Sequence, residues 1–195
     1  MGFFQRIKTG FYTLYLEGTE IFPQMLGGFM SEEVYAEVVK HTIIVCTDVI
    51  IINKQRKTVY LAKRCVDPMP GLWVIGGRRR KGESPIQGML RNFYRETGLC
   101  IDSKRFELVD VVEYFWQTCA QEPKNVGSHN IAHQFCIELS DKELDIVHKG
   151  LHTKEYDSDF GLQEFSKEDL KIAKVHPVIQ DVYEKMFDPL LGTMK

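Results

Sequence analysis

The chain has 195 residues, and its 25 lysines and arginines against 27 aspartates and glutamates give a formal net charge of −2. This near-neutral balance disfavours a nucleic-acid partner. Hydrophobic residues make up 44% and charged residues 27%, which excludes a disordered chain and is typical of a globular domain. No apolar run approaches the ~20 residues that span a bilayer, and no secretory signal is recognisable. Five scattered cysteines without a CxxC pair favour reduced thiols, so we expect a cytoplasmic protein with no membrane partner.

The N-terminal part of the chain divides at about residue 29. Residues 1–29 are rich in aromatic residues and glycine, and we interpret them as an N-terminal extension that packs on the domain or on a partner. Residues 30–195 are predicted to form the domain. Its first element is a helix that begins at Ser31, because a serine hydroxyl caps free N–H groups and Glu32 and Glu33 complement the helix dipole.

Three strands are predicted before the middle of the chain. The segment over 42–53 is β-branched and almost entirely apolar, which indicates a strand buried on both faces. A short turn leads to a second strand over 58–64, in a hairpin relation to the first. Pro68 and Gly71 then force a loop before a short strand over 72–75.

A central helix is predicted after these strands. It starts at Ser84 and Pro85, since serine is a good cap and a proline at the first helical position lacks an N–H that would be unpaired. It runs to about Thr97, where Gly98 supplies a left-handed C-terminal cap.

The second half of the chain adds strands and then helices. Long antiparallel strands are predicted over 106–119 and 129–140, a short helix begins at 166, and a last helix covers 176–187. The predicted fold class is therefore α+β, an α/β/α sandwich in which a mixed sheet carries one central helix and flanking helices.

Residues 76–99 carry the most specific pattern, GGRRRKGESPIQGMLRNFYRETGL. The Nudix box is Gly, five residues, Glu, seven residues and Arg-Glu-apolar-x-Glu-Glu-x-Gly-apolar. The residues that match in register are Gly77, Glu83, Arg91, Phe93, Glu96, Gly98 and Leu99. Asn92 and Arg95 stand where the box has glutamates. The chain therefore resembles the Nudix hydrolases, with an altered box, and the resemblance implies a Nudix fold.

The altered box limits the metal chemistry. Positions 92 and 96 share a helical face and position 95 is adjacent, so three carboxylates there would hold several Mg²⁺ ions. This helix offers Glu96 alone. With the backbone carbonyl of Gly76 and oxygens of a diphosphate it would hold one Mg²⁺, but not the cluster used for ordinary pyrophosphate cleavage.

One branch of the superfamily shares these departures. The GDP-mannose mannosyl hydrolases also lack both glutamates, bind one Mg²⁺ and attack the sugar carbon, releasing GDP and mannose. The run LAKRCVDPMPGLWVIGGRRRKGE over 61–83 is similar to theirs, and the similarity extends over about residues 29–140.

The resemblance to this branch implies a role for each matching residue. Gly76 and Glu96 would bind Mg²⁺. Arg78 and Arg91 would contact the diphosphate as the leaving group gains charge. Asp48 and Arg64 would lie at the nucleotide-sugar site. Glu83 would support the loop through Arg91 or Arg95.

The chain also departs from the branch. The family's tyrosine near the leaving phosphate corresponds to Asn130, and its Gln-His pair, a metal ligand and a general base, has no clean counterpart. Candidates for these roles lie between residues 152 and 159: His152, Glu155, Asp157 and Asp159. We assign the base to His152 as a hypothesis.

Two expectations rest on residue chemistry. Asp48 lies within an apolar strand, and because a lone buried carboxylate is costly we expect a partner for it, such as Arg64. Trp73 and Trp116 are predicted core residues, although Trp116 could instead form a wall for a purine ring.

Three functions are left open. The first is an Mg²⁺-dependent hydrolase of a GDP-mannose-like nucleotide-sugar that attacks the glycosyl carbon. The second is a Nudix hydrolase that cuts a P–O bond in another nucleoside diphosphate derivative. The third is a catalytically silent module that binds a nucleotide or RNA. A homodimer is compatible with the sequence, which does not fix the oligomeric state.

Overall fold

The structure is a computed structural model that describes residues 4–8, 12–17 and 28–188. Most of the predicted N-terminal extension lies outside the described residues. Its two described pieces are strands, β1 (Phe4–Lys8) and β2 (Thr13–Glu17), which pair as an antiparallel hairpin. This hairpin is absent from the sequence prediction.

The domain contains strands and helices in mixed order. The strands are β3 (Ile44–Asn53), β4 (Thr58–Arg64), β5 (Gly71–Trp73), β6 (Ile75–Arg78), β7 (Glu107–Trp116), β8 (Ser128–Glu138) and β9 (Leu162–Phe165). The helices are α1 (Glu32–His41), α2 (Pro85–Thr97), α3 (Asp141–Gly150), α4 (Lys167–Ile172) and α5 (Pro177–Phe187). Among the described residues, no helix is long and apolar enough to cross a membrane.

The domain strands form one mixed sheet. Its order is β5-β4-β3-β8-β7, with β6 paired to β3 and β9 paired to β4. Strands β3 and β8 run parallel, whereas β7 and β8 run antiparallel. The predicted mixed sheet and the antiparallel pairing of the two long strands are confirmed.

The core lies on both faces of the sheet, because successive residues of β3 point to opposite faces. The first face packs against α2 and includes Val49, Ile51, Phe135, Ile137, Met89 and Phe93. The second face packs against α5 and includes Ile50, Ile52, Leu61, Ile179 and Val182. The sandwich arrangement and the two-sided burial predicted for the strand over 42–53 are confirmed.

The predicted strand over 72–75 is wrong in its extent. The chain forms two short strands with different partners, since β5 pairs with β4 and β6 pairs with β3. Val74 is the junction between them. Local sequence predicts an extended conformation there, but the sheet neighbours decide where each strand begins and ends.

Helix α3 and strand β9 were not predicted. Helix α3 begins with a capping box in which the Ser140 backbone N–H donates to a carboxylate oxygen of Glu143 at 2.8 Å. That Ser-x-x-Glu spacing is a recognisable start signal. The helix leads into the loop over 151–161, which contains the four candidates for the metal ligand and the general base between residues 152 and 159.

Helix α2 is anchored at both ends as predicted. Ser84 forms a capping box with Gln87, Pro85 occupies the first turn, and Gly98 adopts a left-handed conformation with φ of 70°. These caps fix where the helix begins and ends. Asn92 faces the sheet, where its side chain bonds to Thr47.

Candidate functional site

A cavity of about 520 Å³ opens beside β6 and the C-terminal half of α2. Five of the predicted site residues line it: Asp48, Arg64, Gly76, Arg78 and His152. Segments far apart in the sequence thus meet in one concave surface. The other predicted site residues, Glu83, Arg91 and Glu96, are not part of the cavity wall as described.

Arg78 brings an unneutralised positive charge to the cavity. Its guanidinium lies 4.4 Å from the centre of the Tyr35 ring on α1, and its Nη1 is 3.9 Å from the Met30 sulfur. Within the described part of the chain, no carboxylate lies at ion-pair distance from it. The stacked ring holds the guanidinium in place while its charge stays available to a bound anion. The contribution of Tyr35 is not predictable from the sequence, because an aromatic on an amphipathic helix usually indicates core packing.

Arg91, in the middle of α2, bonds the helix to the loop that precedes it. Its Nε and Nη2 donate to the two Glu83 carboxylate oxygens at 2.5 and 2.7 Å, and Nη2 also donates to the Arg78 carbonyl at 3.0 Å. Burial acts to raise the pKa of Glu83, but hydrogen bonds from Arg91 and from the Arg80 backbone N–H leave it lowered. In the ligand-free chain the Arg91 guanidinium is thus engaged by Glu83 and by the Arg78 backbone. This arginine supports the backbone that carries Arg78, and Glu83 bonds to it rather than to Arg95.

Asn92 fastens α2 to the sheet. It is 1% exposed, and its side-chain Nδ2 donates to Thr47 Oγ1 at 3.0 Å and to the Gly77 carbonyl at 2.6 Å. The amide thus replaces a metal-binding carboxylate with a structural hydrogen-bond donor. These hydrogen bonds explain why α2 keeps its place against the sheet although the glutamate of the common box is missing.

Glu96 has one engaged and one free oxygen. The side chain is fully buried, and Oε1 accepts hydrogen bonds from Arg95 Nε at 2.7 Å and from Arg95 Nη2. Oε2 is buried and has no hydrogen-bond partner in the described structure. Burial raises the pKa of Glu96, and the charge of Arg95 opposes that shift.

The donor set around Glu96 suits one cation at most. An orphaned carboxylate oxygen is a suitable ligand for Mg²⁺, which commonly takes one protein carboxylate and completes its shell with substrate oxygens and water. In the region that the structure describes, no group of three histidine, cysteine or acidic side chains is arranged to hold a metal ion. The residues therefore fit a single, substrate-supported ion and do not fit a cluster.

Asp48 lies in the cavity wall directly against Gly76. A Cβ atom at position 76 would collide with Asp48 Oδ1, so only glycine fits there. The Asp48 carboxylate has no hydrogen-bond or ion-pair partner among the described residues. Asp48 is 6% exposed, and burial raises its pKa to about 7 although Arg64 acts in the opposite direction. The expected Asp48–Arg64 pair is wrong as a direct contact. Arg64 instead pairs with Glu155 at 3.5 Å and influences Asp48 through space.

The loop after α3 supplies two of its four candidates to the cavity. The His152 backbone N–H donates to the Glu96 carbonyl at 3.0 Å, and its ring Nδ1 is buried without a partner in the described chain. Glu155 also lines the cavity. Asp157 instead pairs with Lys63 at 2.9 Å and Asp159 is exposed, so neither reaches the cavity.

An aromatic group forms the opposite wall. The rings of Tyr114 and Trp116 are stacked with centroids 5.0 Å apart, and Trp73 meets Trp116 edge-on at 5.9 Å. All three line the cavity, as does Asn130, whose Oδ1 is buried without a partner in the described residues. Trp73 is a core residue as predicted, whereas Trp116 is only partly buried.

The strand, loop and capped helix beside this cavity define the class of the protein. The chain belongs to the NUDIX domain family, because the model of that family matches residues 43–186, most of the chain. NUDIX proteins are hydrolases of nucleoside diphosphate derivatives that generally use a divalent metal ion, usually Mg²⁺. No curated protein matches the chain at the sequence level.

Solved structures share the fold at low sequence identity. The dihydroneopterin triphosphate pyrophosphohydrolase of E. coli is similar with a TM-score of 0.53 and 15% identity, over 76% of this chain and 99% of that one. A MutT NUDIX hydrolase from Burkholderia pseudomallei gives 0.51 and 20%, over 67% and 88%. A MutT/nudix family protein from Enterococcus faecalis gives 0.44 and 15%, over 71% of this chain and 57% of that one. The similarities to the E. coli and Burkholderia enzymes, whose TM-scores exceed 0.5, show the shared fold and do not identify a substrate.

Proposed function

We propose that the chain is a hydrolase of a nucleotide-sugar of the GDP-mannose type, which attacks the glycosyl carbon and releases a nucleoside diphosphate and a free sugar. The observation that carries this proposal is the combination of an unneutralised Arg78 in the cavity with a box that retains a single carboxylate at Glu96. Such a site can stabilise a departing diphosphate, and it lacks the carboxylates that would assemble several metal ions for attack at phosphorus.

The leaving group would be held at β6. Charge accumulates on the diphosphate oxygens as the bond between the sugar carbon and oxygen breaks, and a fixed guanidinium at Arg78 stabilises that charge. Arg91 and Glu83 act on this step indirectly, because they position the backbone that presents Arg78. Arg91 is therefore a positioning residue in this proposal.

One Mg²⁺ would be held by Glu96 and by the Gly76 backbone carbonyl, with diphosphate oxygens completing its shell. When bound, the ion supplies positive charge beside the leaving diphosphate. The free Oε2 of Glu96 supports this assignment, and Asn92 keeps the β6 backbone fastened to α2.

Water would be activated from the loop after α3. His152 lines the cavity and its buried ring Nδ1 has no partner among the described residues; the base would take a proton from water as the water oxygen bonds to the sugar carbon. Glu155 is the second candidate, although its pairing with Arg64 at 3.5 Å makes it less free to accept a proton. Asp157 is engaged by Lys63 and is not proposed as the base.

The rest of the substrate would occupy the remaining walls. The partly buried face of Trp116, stacked on Tyr114, offers a surface for a purine ring. Asp48 lies beside Gly76 and Arg64 lines the same cavity, and both would contact the sugar or its diphosphate. The cavity volume of about 520 Å³ is in the range of ligand sites for molecules of this size.

Product analysis tests the proposed function. The protein is incubated with GDP-mannose and other nucleotide-sugars in the presence of Mg²⁺, in water labelled with ¹⁸O, and products are separated by chromatography. We expect nucleoside diphosphate plus free sugar, with ¹⁸O in the sugar. Nucleoside monophosphate plus sugar phosphate would refute attack at carbon and favour P–O cleavage.

A silent binding module is the second candidate. The observation in its favour is that Arg95 already engages one oxygen of Glu96, the last carboxylate of the box. A silent module would bind a nucleotide without turnover of any nucleotide-sugar. The product analysis described above therefore distinguishes it from an enzyme.

A further inference from the structure

Arg95 places a third guanidinium in the cavity, beside those of Arg64 and Arg78, at one of the two positions where the common box has a glutamate. Its side chain is 34% exposed, whereas the neighbouring Glu96 is fully buried. The substitution therefore exchanges a group that attracts a metal ion for one that attracts an anion. In the common box a metal ion bound by the glutamate provides positive charge at this place. Here the guanidinium of Arg95 provides it.

The guanidinium of Arg95 is held in position by its neighbours. Nε and Nη2 both donate to Glu96 Oε1, and Nη2 lies 3.0 Å from the point that a Cβ atom would occupy at Gly77. Nη1 has no acceptor within the described residues. Because a guanidinium has five N–H groups in a planar fork, the edge that does not face Glu96 remains available for a phosphate oxygen.

The cavity wall carries equal numbers of carboxylates and cations, so the pairing among them decides which groups can bind an anion. The carboxylates that line the cavity are Glu32, Asp48, Asp67 and Glu155, and the cations that line it are Arg64, Arg78, Arg95 and Lys154. Glu155 is paired with Arg64, and Asp67 is paired with Lys124 at 3.4 Å. Arg78 on β6 and Arg95 at the end of α2 both present guanidinium N–H donors to the cavity.

We infer that Arg95 binds the diphosphate directly, together with Arg78, so that this protein binds a nucleoside diphosphate without a metal ion. The inference rests on the proposed function for the class of ligand. It separates binding from chemistry: a metal ion at Glu96 would affect turnover, while the two guanidiniums suffice for affinity. Arg95 is accordingly a substrate-binding residue.

Calorimetric titration of the full chain with GDP tests this inference. Wild-type protein is titrated once with Mg²⁺ and once with EDTA, and the two dissociation constants should agree within about 3-fold. Arg95→Gln should weaken GDP binding in EDTA by roughly 10-fold or more, because a charge-assisted hydrogen bond is lost. Lys149→Gln is the matched control, since it removes the same charge from an exposed position on α3 and should leave binding unchanged.

A second variant reverses the exchange. Arg95→Glu restores the carboxylate of the common box beside Glu96, and its GDP binding should be lost in EDTA and partly recovered with Mg²⁺. Circular dichroism and thermal unfolding of each variant establish that it is folded. The comparison of wild-type binding with and without EDTA needs no variant. It therefore tests whether GDP binds without a metal ion even if Arg95→Gln does not fold.

Each other outcome has a defined meaning. Wild-type binding that weakens more than about 3-fold in EDTA would overturn the inference and leave the proposed function intact. A folded Arg95→Gln protein that binds GDP as the Lys149→Gln control does would also overturn it. Absence of GDP binding by the wild type in both buffers would contradict the inference and the proposed function together.

Discussion

Replacing Asp48 with asparagine should stabilise the protein at neutral and alkaline pH. Asp48 is 6% exposed on β3, and its carboxylate has neither a hydrogen bond nor an ion pair with the described residues. An ionised carboxylate in such a place is costly, because burial removes its hydration and the distant Arg64 compensates only in part. An asparagine of nearly the same shape carries no charge.

The magnitude follows from proton linkage. The pKa of Asp48 is raised from 3.8 to about 7 in the folded state, so the folded protein binds more protons than the unfolded chain between these values. The contribution of the protonated group is fully present below the unfolded pKa and is lost as pH rises through the folded pKa. The corresponding loss is at most roughly 4 kcal/mol above pH 7. Asp48→Asn should recover much of that loss and flatten the pH dependence.

Urea unfolding at pH values from 5 to 8, with EDTA present, measures this effect. We expect the stability advantage of Asp48→Asn over wild type to be smallest at the acid end of this range, to grow as the pH rises, and to reach about 2 kcal/mol or more at pH 8. Asp159→Asn is the control, since Asp159 is exposed and its replacement should leave the pH dependence unchanged. Equal or lower stability of Asp48→Asn at pH 8 would refute the argument that the carboxylate is buried without a partner.

Three further predictions concern catalysis on a nucleotide-sugar. Glu96→Gln should reduce turnover at least ~100-fold while the protein stays folded, as seen by circular dichroism, because it removes the carboxylate proposed for Mg²⁺; unchanged turnover would exclude that role. Arg78→Ala should lower kcat by about 10²–10³ and change KM less, and steady-state kinetics that show the loss in KM alone would make Arg78 a binding group. His152→Ala should lower kcat by about 10²–10⁴ while Glu155→Gln retains most activity. The reverse order in the measured rates would assign the base to Glu155.

The local elements of the fold were predictable because their signals are local. A serine cap with a following acidic turn, a Ser-Pro start and a glycine stop specify α1 and α2 through bonds within one or two turns. The β-branched apolar run predicts β3 because both of its faces need cover. Helix α3 was missed although its capping box at Ser140 and Glu143 is visible in the sequence.

By itself the sequence determined the register of the altered box, and the box indicated the family. The reason is that a strand–loop–helix unit fixes the spacing between its glycine, its helix and the cap that ends the helix. Only the tertiary structure decided which charged groups meet. Three arginines form ion pairs: Arg91 with Glu83, Arg95 with Glu96, and Arg64 with Glu155. Asp48 and Arg78 have no opposite charge at contact distance among the described residues. Each of these choices depends on how β3, β4 and β6 are aligned and how α2 rests on them. Residues far apart in sequence, such as Arg64 and Glu155, are brought together only when the strand β4 and the loop after α3 fold against each other.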